Sequence, residues 1–488
     1  MNVLIGPEPL LYPSLSPSVL DFVRIAYGIL LVATLFGTLP HAKRFFLSER
    51  WGGYAQRGPW VDPIQNPIVL PLLLVVWLVS GAALILGRSI VPAALINFFL
   101  SRYFFIQMRW RGVLRGMGAP GFITYWLAAA LLLLEYTRRF APELAGLALL
   151  VLQVDFALIM LSAGMYKFSA GYRENNGMEL GLVNPQWGYW PHVWSRSRPA
   201  GWWFRTFNEL AWGTEVLAAL LMLFPPTRFL GGMLILISFI FIATQIRLGF
   251  LCEMIIVCCL IFAYPGSMVD RWVTSALPGL PAPAGPAPPV VNTLLGVGLW
   301  AYLALLPFAR LGLSYNFHAK KALPGILQRV FELYTNFFGL ILWRVFSADI
   351  TNFFVRIYEQ DSYGSRRLIS CWGRTLRYVQ VAESIAVTSL FTTLKYYPSN
   401  NQLFVDRLLR YSRTIPRGSD AVLVFQYVSI LKRDAHFDFV PVAEYVVDTS
   451  LGTVAEHFLD NSVSVRAAAE RSPIHEGARP GSYVPLAR

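Results

Sequence analysis

Lys167 ends an apolar run and leads into a second short motif, in the stretch Leu161 to Leu180 that reads LSAGMYKFSAGYRENNGMEL. An unperturbed lysine, with a pKa of about 10.4, is no base near neutrality, but burial can lower such a group by several units. At the inner end of a helix that lines an apolar cavity, it can act as general base toward a weakly acidic phenol. The same position also suits a snorkelling anchor, with the stem in the bilayer and the ammonium in water. Ala163 and Gly164 are small residues at which a second backbone can approach.

Other ionisable residues stand in apolar surroundings, where each is costly and hence a site candidate. Asp155 and Glu215 lie well inside their runs and Glu253 nearer an end. Each is either part of a site or a carboxyl group, neutral or paired with an arginine, that holds helices together. Asp155 and Lys167 are twelve residues apart, about 18 Å along one helix and roughly 120° around it, so they are not a direct pair. The six histidines (His41, His192, His318, His436, His457, His475) form no i, i+4 pair, and the four cysteines form no CxxC. A protein-built zinc or iron site is therefore not expected. Cys252, Cys258 and Cys259 share one apolar run and read as small hydrophobes, with Cys371 alone. Gly116 to Gly121 (GMGAPG) matches a dinucleotide fingerprint only literally, since it precedes a hydrophobic helix and follows no strand. It reads as a helix-entry turn.

The elements that position these residues are membrane helices. Across 488 residues 55% are hydrophobic and 14% charged, and mean hydropathy is +0.50, outside the soluble globular range. A span needs about 20 apolar residues, and nine runs qualify: 19–38, 68–87, 90–106, 120–136, 144–167, 208–224, 229–246, 249–265 and 291–309. The expected fold is thus a polytopic all-α membrane bundle over 19–310, after an N-terminal segment 1–18, followed by a small α+β extramembrane domain. The N-terminus has no basic n-region, so the first span is expected to do the targeting. Trp51, Trp60, Trp187, Trp190, Trp194, Trp202 and Trp203 suit an interfacial belt. The net charge of +13 resides in short loops rather than on a basic stripe, which argues for topology and lipid contact and against nucleic acid. Loops after spans one, three and five hold most of it (Lys43, Arg44, Arg50, Arg57; Arg109, Arg111, Arg115; Arg173, Arg196, Arg198, Arg205). The positive-inside rule places these loops, Lys167 and the C-terminal region in the cytoplasm. A Pro-rich spacer, 277–290, separates spans eight and nine, and 311–348, containing an amphipathic segment at 323–342, joins the bundle to the next domain.

From 349 to 465 the pattern reads α+β: strands at 352–359, 366–370, 421–431 and 437–447, and a helix capped at Asn401 that stops before Pro416. The tail 466–488 is polar and expected to be disordered.

Several motifs occur in a suggestive order: Val23 to Gly28 (VRIAYG), the Ala163-Gly164-x-x-Lys167 stretch, Gly177 to Leu180 (GMEL), Gly213-Thr214-Glu215, Leu306-Pro307-Phe308, and Trp343 to Ser347 (WRVFS) before a strand. Their collinearity resembles the membrane domain of the vitamin K-dependent γ-glutamyl carboxylases and their bacterial kin, the horizontally transferred transmembrane (HTTM) domain. The resemblance implies that Lys167 is a catalytic base that deprotonates a reduced naphthoquinone of the vitamin K type. Gly164 and Tyr166 would shape its pocket, and Glu215 would hold the bundle or tune the site. It also implies a multi-pass location in a bacterial inner membrane, with Lys167 on the exterior face, opposite to the loop-charge expectation. The family's histidine after the third span has no counterpart in Arg109 to Val113 (RWRGV).

Two functions follow as expectations. One is a quinone-using oxidoreductase or carboxylase-like enzyme with Lys167 as base. The other is a non-catalytic membrane scaffold or subunit that binds a lipid or quinone-like ligand and, through the C-terminal domain, a protein partner. The two differ in where they put Lys167: in an enclosed apolar site, or in the headgroup layer.

Overall fold

The computed structural model describes residues 12–107, 118–173, 177–277, 279, 285, 289–319, 321–341, 343, 351–370, 377–418 and 421–459. Arg109, Arg111 and Arg115, the first two residues of the GMGAPG stretch, Cys371, most of the Pro-rich spacer, Arg344 to Ser347 and the polar tail lie outside these residues.

The membrane part is helical. Its main elements are α1 (Pro17–Thr38), α2 (Val69–Leu86), α3 (Ile90–Ser101), α4 (Gly118–Phe140), α5 (Ala145–Ser169), α6 (Met178–Val183), α7 (Trp202–Leu223), α8 (Arg228–Gln245), α9 (Leu251–Cys259), α10 (Met268–Ala276), α11 (Pro289–His318) and α12 (Gly325–Phe338). Local chemistry sets several of the ends. Ser16 accepts from the Val19 N–H and Pro17 opens α1, while Gly87 ends α2 in a left-handed conformation.

Six helical segments among the described residues are long and apolar enough to cross a membrane: Pro17–Phe46, Val69–Leu86, Ile90–Gln107, Pro142–Ser169, Pro225–Gln245 and Pro289–His318. Nine were expected, and the other three lie outside this set. Helix α4 has the length but carries Glu135, Arg138 and Arg139. Helix α7 likewise carries Arg205, Glu209 and Glu215. Helix α9, with the tight turn Leu260–Phe262, is about 18 Å long, against a hydrocarbon layer of about 30 Å. Its Cys252, Met254, Ile255, Val257, Cys258 and Cys259 are all buried, so it is a core helix wrapped by protein. A window of apolar residues cannot tell such a helix from a span.

The two ends of the bundle are built differently. Near the start of α1 and the end of α4, Arg24 binds Asp21 and lies 3.7 Å from Glu135. Arg138 binds Asp21, and Arg139 binds Glu135. Lys167 closes the far end of α5, more than five turns away.

The lysine end carries the C-terminal domain, a five-stranded antiparallel sheet of order β2-β1-β3-β4-β5. Its strands are β1 (Phe353–Gln360), β2 (Arg366–Leu368), β3 (Val422–Lys432), β4 (Phe437–Asp448) and β5 (Thr453–Phe458), joined by helices α13 (Arg377–Tyr396) and α14 (Asn401–Arg413). Four of the strands fall within a few residues of their expected places. The sequence reading missed β5, whose side chains are mostly exposed, and α13. Asn400, one residue before the expected cap, accepts from the Leu403 N–H. Alternation splits the sheet's side chains between two cores. Phe353, Val355, Ile357 and Phe425 face α13 and α14, whereas Phe354, Val428, Ile430 and Phe437 join the core of the helical bundle.

Candidate site at the lysine end of the bundle

Lys167 sits in the last turn of α5 and is 5% exposed, which excludes the snorkelling geometry for this side chain. Its Nζ donates to Glu215 Oε1 of α7 at 2.5 Å, and both side chains are almost wholly buried. Residues 48 apart in sequence thus meet because α5 and α7 run in close contact. Gly164 is where they touch. A Cβ there would lie 2.7 Å from Val216 Cγ2 and 2.9 Å from the Trp212 carbonyl oxygen, so only glycine lets the two backbones approach. Gly164 therefore acts through helix packing, and the Tyr166 ring makes an edge contact with Phe317 of α11.

A third side chain completes the arrangement. Tyr172, fully buried in the turn after α5, places its ring centroid 6.0 Å from Lys167 Nζ, a marginal cation–π distance. Burial pushes the Tyr172 phenol well above its ordinary range, and the neighbouring Glu215 charge pushes it the same way. Gly177 lies flat on that ring, since a Cβ there would come within 2.6 Å of ring carbons. The next residue, Met178, opens α6 and donates its N–H to Asn208 Oδ1 of α7 at 2.8 Å. The GMEL motif is thus a bracket that links the lysine turn to α7. Tyr172 and Asn208 escaped sequence reading because aromatic and amide side chains outside a motif carry no signal of their own.

The pair sets an amine against a carboxylate out of water, the kinds of group that serve as general acid and base. Glu215 Oε2 is buried and accepts no hydrogen bond from a described residue, so a ligand hydroxyl has an acceptor there. An acceptor without a donor is the feature a hydroxyl-bearing ligand would require here.

A separate buried cluster lies one-half of α5 away. Asp155 Oδ1 accepts from Arg310 of α11 at 2.9 Å, and Oδ2 accepts from Trp126 Nε1 at 2.8 Å and the Tyr302 hydroxyl at 3.1 Å. Of the alternatives for Asp155, the arginine-paired one holds. Arg310 passed unnoticed because the ninth span was expected to end at 309, whereas α11 continues to His318. In a longer helix it is an intramembrane cation and a legible partner. Glu253 lies in the first turn of α9.

The fold and this site define a mostly helical membrane protein with buried ion pairs among its helices and a small antiparallel sheet docked at one end. In comparisons with family models, curated proteins and solved structures, nothing matches this chain.

Proposed function

We propose that this protein is a membrane-embedded enzyme of the carboxylase-like or quinol-oxidising type, in which Lys167 and Glu215 form the proton-accepting pair. The observation that carries the reading is a lysine and a carboxylate paired out of water, with one carboxylate oxygen left open. A buried ion pair is a poor stabiliser but an apt proton acceptor. The motif order that resembles the HTTM and γ-glutamyl carboxylase membrane domains supports the same assignment of Lys167. A reduced naphthoquinone, when bound, supplies a weakly acidic phenolic hydroxyl. Glu215 Oε2 would accept a hydrogen bond from that hydroxyl and take its proton while Oε1 passes a proton to Lys167, so that the pair gains one proton and the ligand oxygen is left as the anion. Tyr166 and Gly164 keep α11 and α7 against the site, and apolar helices exclude water.

A second reading is favoured by the tight seam at Gly164: the pair is a pin between α5 and α7 in a non-catalytic scaffold whose sheet domain engages a protein partner. One experiment separates the two. Reduced naphthoquinone is supplied to purified, detergent-solubilised protein under oxygen, with wild type beside Lys167→Ala and the charge-free double variant Lys167→Met/Glu215→Leu. Turnover by wild type that is lost in both folded variants supports the base. Absence of binding and turnover in wild type overturns it and leaves the pin.

A further inference from the structure

Of the charged contacts that join the sheet domain to the bundle among the described residues, one is fully buried on the bundle side. Glu179 of α6 is completely buried, and its carboxylate forms an ion pair with Lys432 at the end of β3. Around it the domain is seated by neutral contacts. The Asn184 side chain donates to the carbonyls of Thr351 and Phe353, and Gln186 Nε2 donates to the Ser384 carbonyl at 2.7 Å. Phe437 packs edge-on against Phe204.

Glu179 lies two residues beyond the glycine that carries the Tyr172 ring, and one beyond the N–H held by Asn208. Asn208 precedes Glu215 by seven residues, two turns on one face of α7. Contacts therefore run without a gap from Lys432 through Glu179, Gly177 and Tyr172 to Lys167. The branch through Asn208 runs to the helix of Glu215. A buried carboxylate deprived of its cation must either take up a proton or move, and where it moves, α6 and the bracket move with it.

We propose that Lys432 is a positioning residue for the Lys167–Glu215 pair. The sheet domain thereby forms part of the site: its seating sets the distance between lysine and carboxylate, and its release loosens the pair. This rests on the proton-accepting reading of that pair, but its test does not depend on turnover.

The test is the infrared carboxylate band of Glu215, identified as the band lost in Glu215→Gln, recorded on full-length protein in detergent. Two variants are compared with wild type. Lys432→Met removes the cation, and Gly177→Ala keeps every charge but drives a methyl group into the Tyr172 ring. Both are expected to displace the Glu215 band, and in the quinol assay to lower kcat roughly 100-fold with little change in KM. The swap Glu179→Lys/Lys432→Glu is expected to return the band toward its wild-type position. A merely structural contact would lower the melting temperature and leave the band in place. A wild-type band in either folded variant overturns the proposal, and Glu179→Gln, which breaks the same ion pair, decides in place of Lys432→Met if that variant does not fold. Wild-type protein without turnover but with the band displaced in the variants refutes the enzyme and leaves the coupling standing.

Discussion

Replacing Lys167 with methionine isolates the energetics of the central pair. The substitution nearly conserves volume but leaves Glu215, 3% exposed, with neither oxygen satisfied by a described residue. An uncompensated buried charge costs about 3–5 kcal/mol when its partner is removed. Replacing both members, in Lys167→Met/Glu215→Leu, removes the desolvation penalty with the charges, and such replacements run from neutral to about 1–4 kcal/mol stabilising. The two single variants should therefore each be less stable than the double, with a coupling energy of roughly 3 kcal/mol or more. Reversible unfolding of the detergent-solubilised protein, followed by tryptophan emission across the four members of the cycle, measures it. Additive effects, within about 0.5 kcal/mol, would refute the buried pair itself, and with it both readings of the site. The double variant also separates stability from chemistry, because a folded protein without the pair should be inert toward quinol if Lys167 is a base.

Three further outcomes are expected. Gly164→Ala should destabilise by about 1–3 kcal/mol, despite alanine's better helix propensity, because the atoms in its way include the Trp212 carbonyl and the Val216 nitrogen; thermal unfolding with and without a compensating Val216→Ala checks this. Asp155→Leu leaves Arg310 buried without its carboxylate and should cost about 3–5 kcal/mol, with most of it recovered by adding Arg310→Met. Reversible unfolding of the detergent-solubilised protein measures both, and a single variant as stable as wild type would sink the anchoring role. In the sheet domain, burial pushes the Glu444 carboxyl up, but hydrogen bonds from Arg366 and Gln426 outweigh it and hold the group below its ordinary value. A depressed carboxyl stabilises fully above its unfolded pKa of about 4.3 and loses that contribution as pH falls through the folded value. With Arg366 at 40% side-chain exposure, the contribution is about 0.5–1 kcal/mol. Glu444→Gln should lower the midpoint temperature at neutral pH and converge with wild type in acid.

The loop-charge pattern gains a concrete counterpart. Arg44 binds Glu383 of α13, Arg410 of α14 lies 3.6 Å from Glu49, and Lys432 binds Glu179. Arg44, after the first span, thus meets the sheet domain at the same end as Lys167. Arg44, however, is half of an interdomain ion pair as well as a topology signal.

The sequence by itself determined the membrane class, the placement of most helices, four of the five strands and the residues worth watching. Those properties rest on local quantities: the length of apolar runs, the alternation of side chains, and the cost of a charge in hydrocarbon. Lys167, Glu215 and Asp155 stood out because an ionisable group in an apolar run is conspicuous one residue at a time. Which of them pair was decided only by tertiary structure. Glu215 meets Lys167 because Gly164 lets two backbones close, and Asp155 meets Arg310 because α11 runs past its expected end. Helix α9 resembled a span because apolar burial in protein and in lipid leave the same trace in sequence. The bracket from Lys432 to Tyr172 joins segments about 260 residues apart (432 against 172), and no periodicity or local propensity extends that far. Its existence depends on how the sheet seats on the bundle, a property of packing between faces that sequence patterns define but do not match to one another.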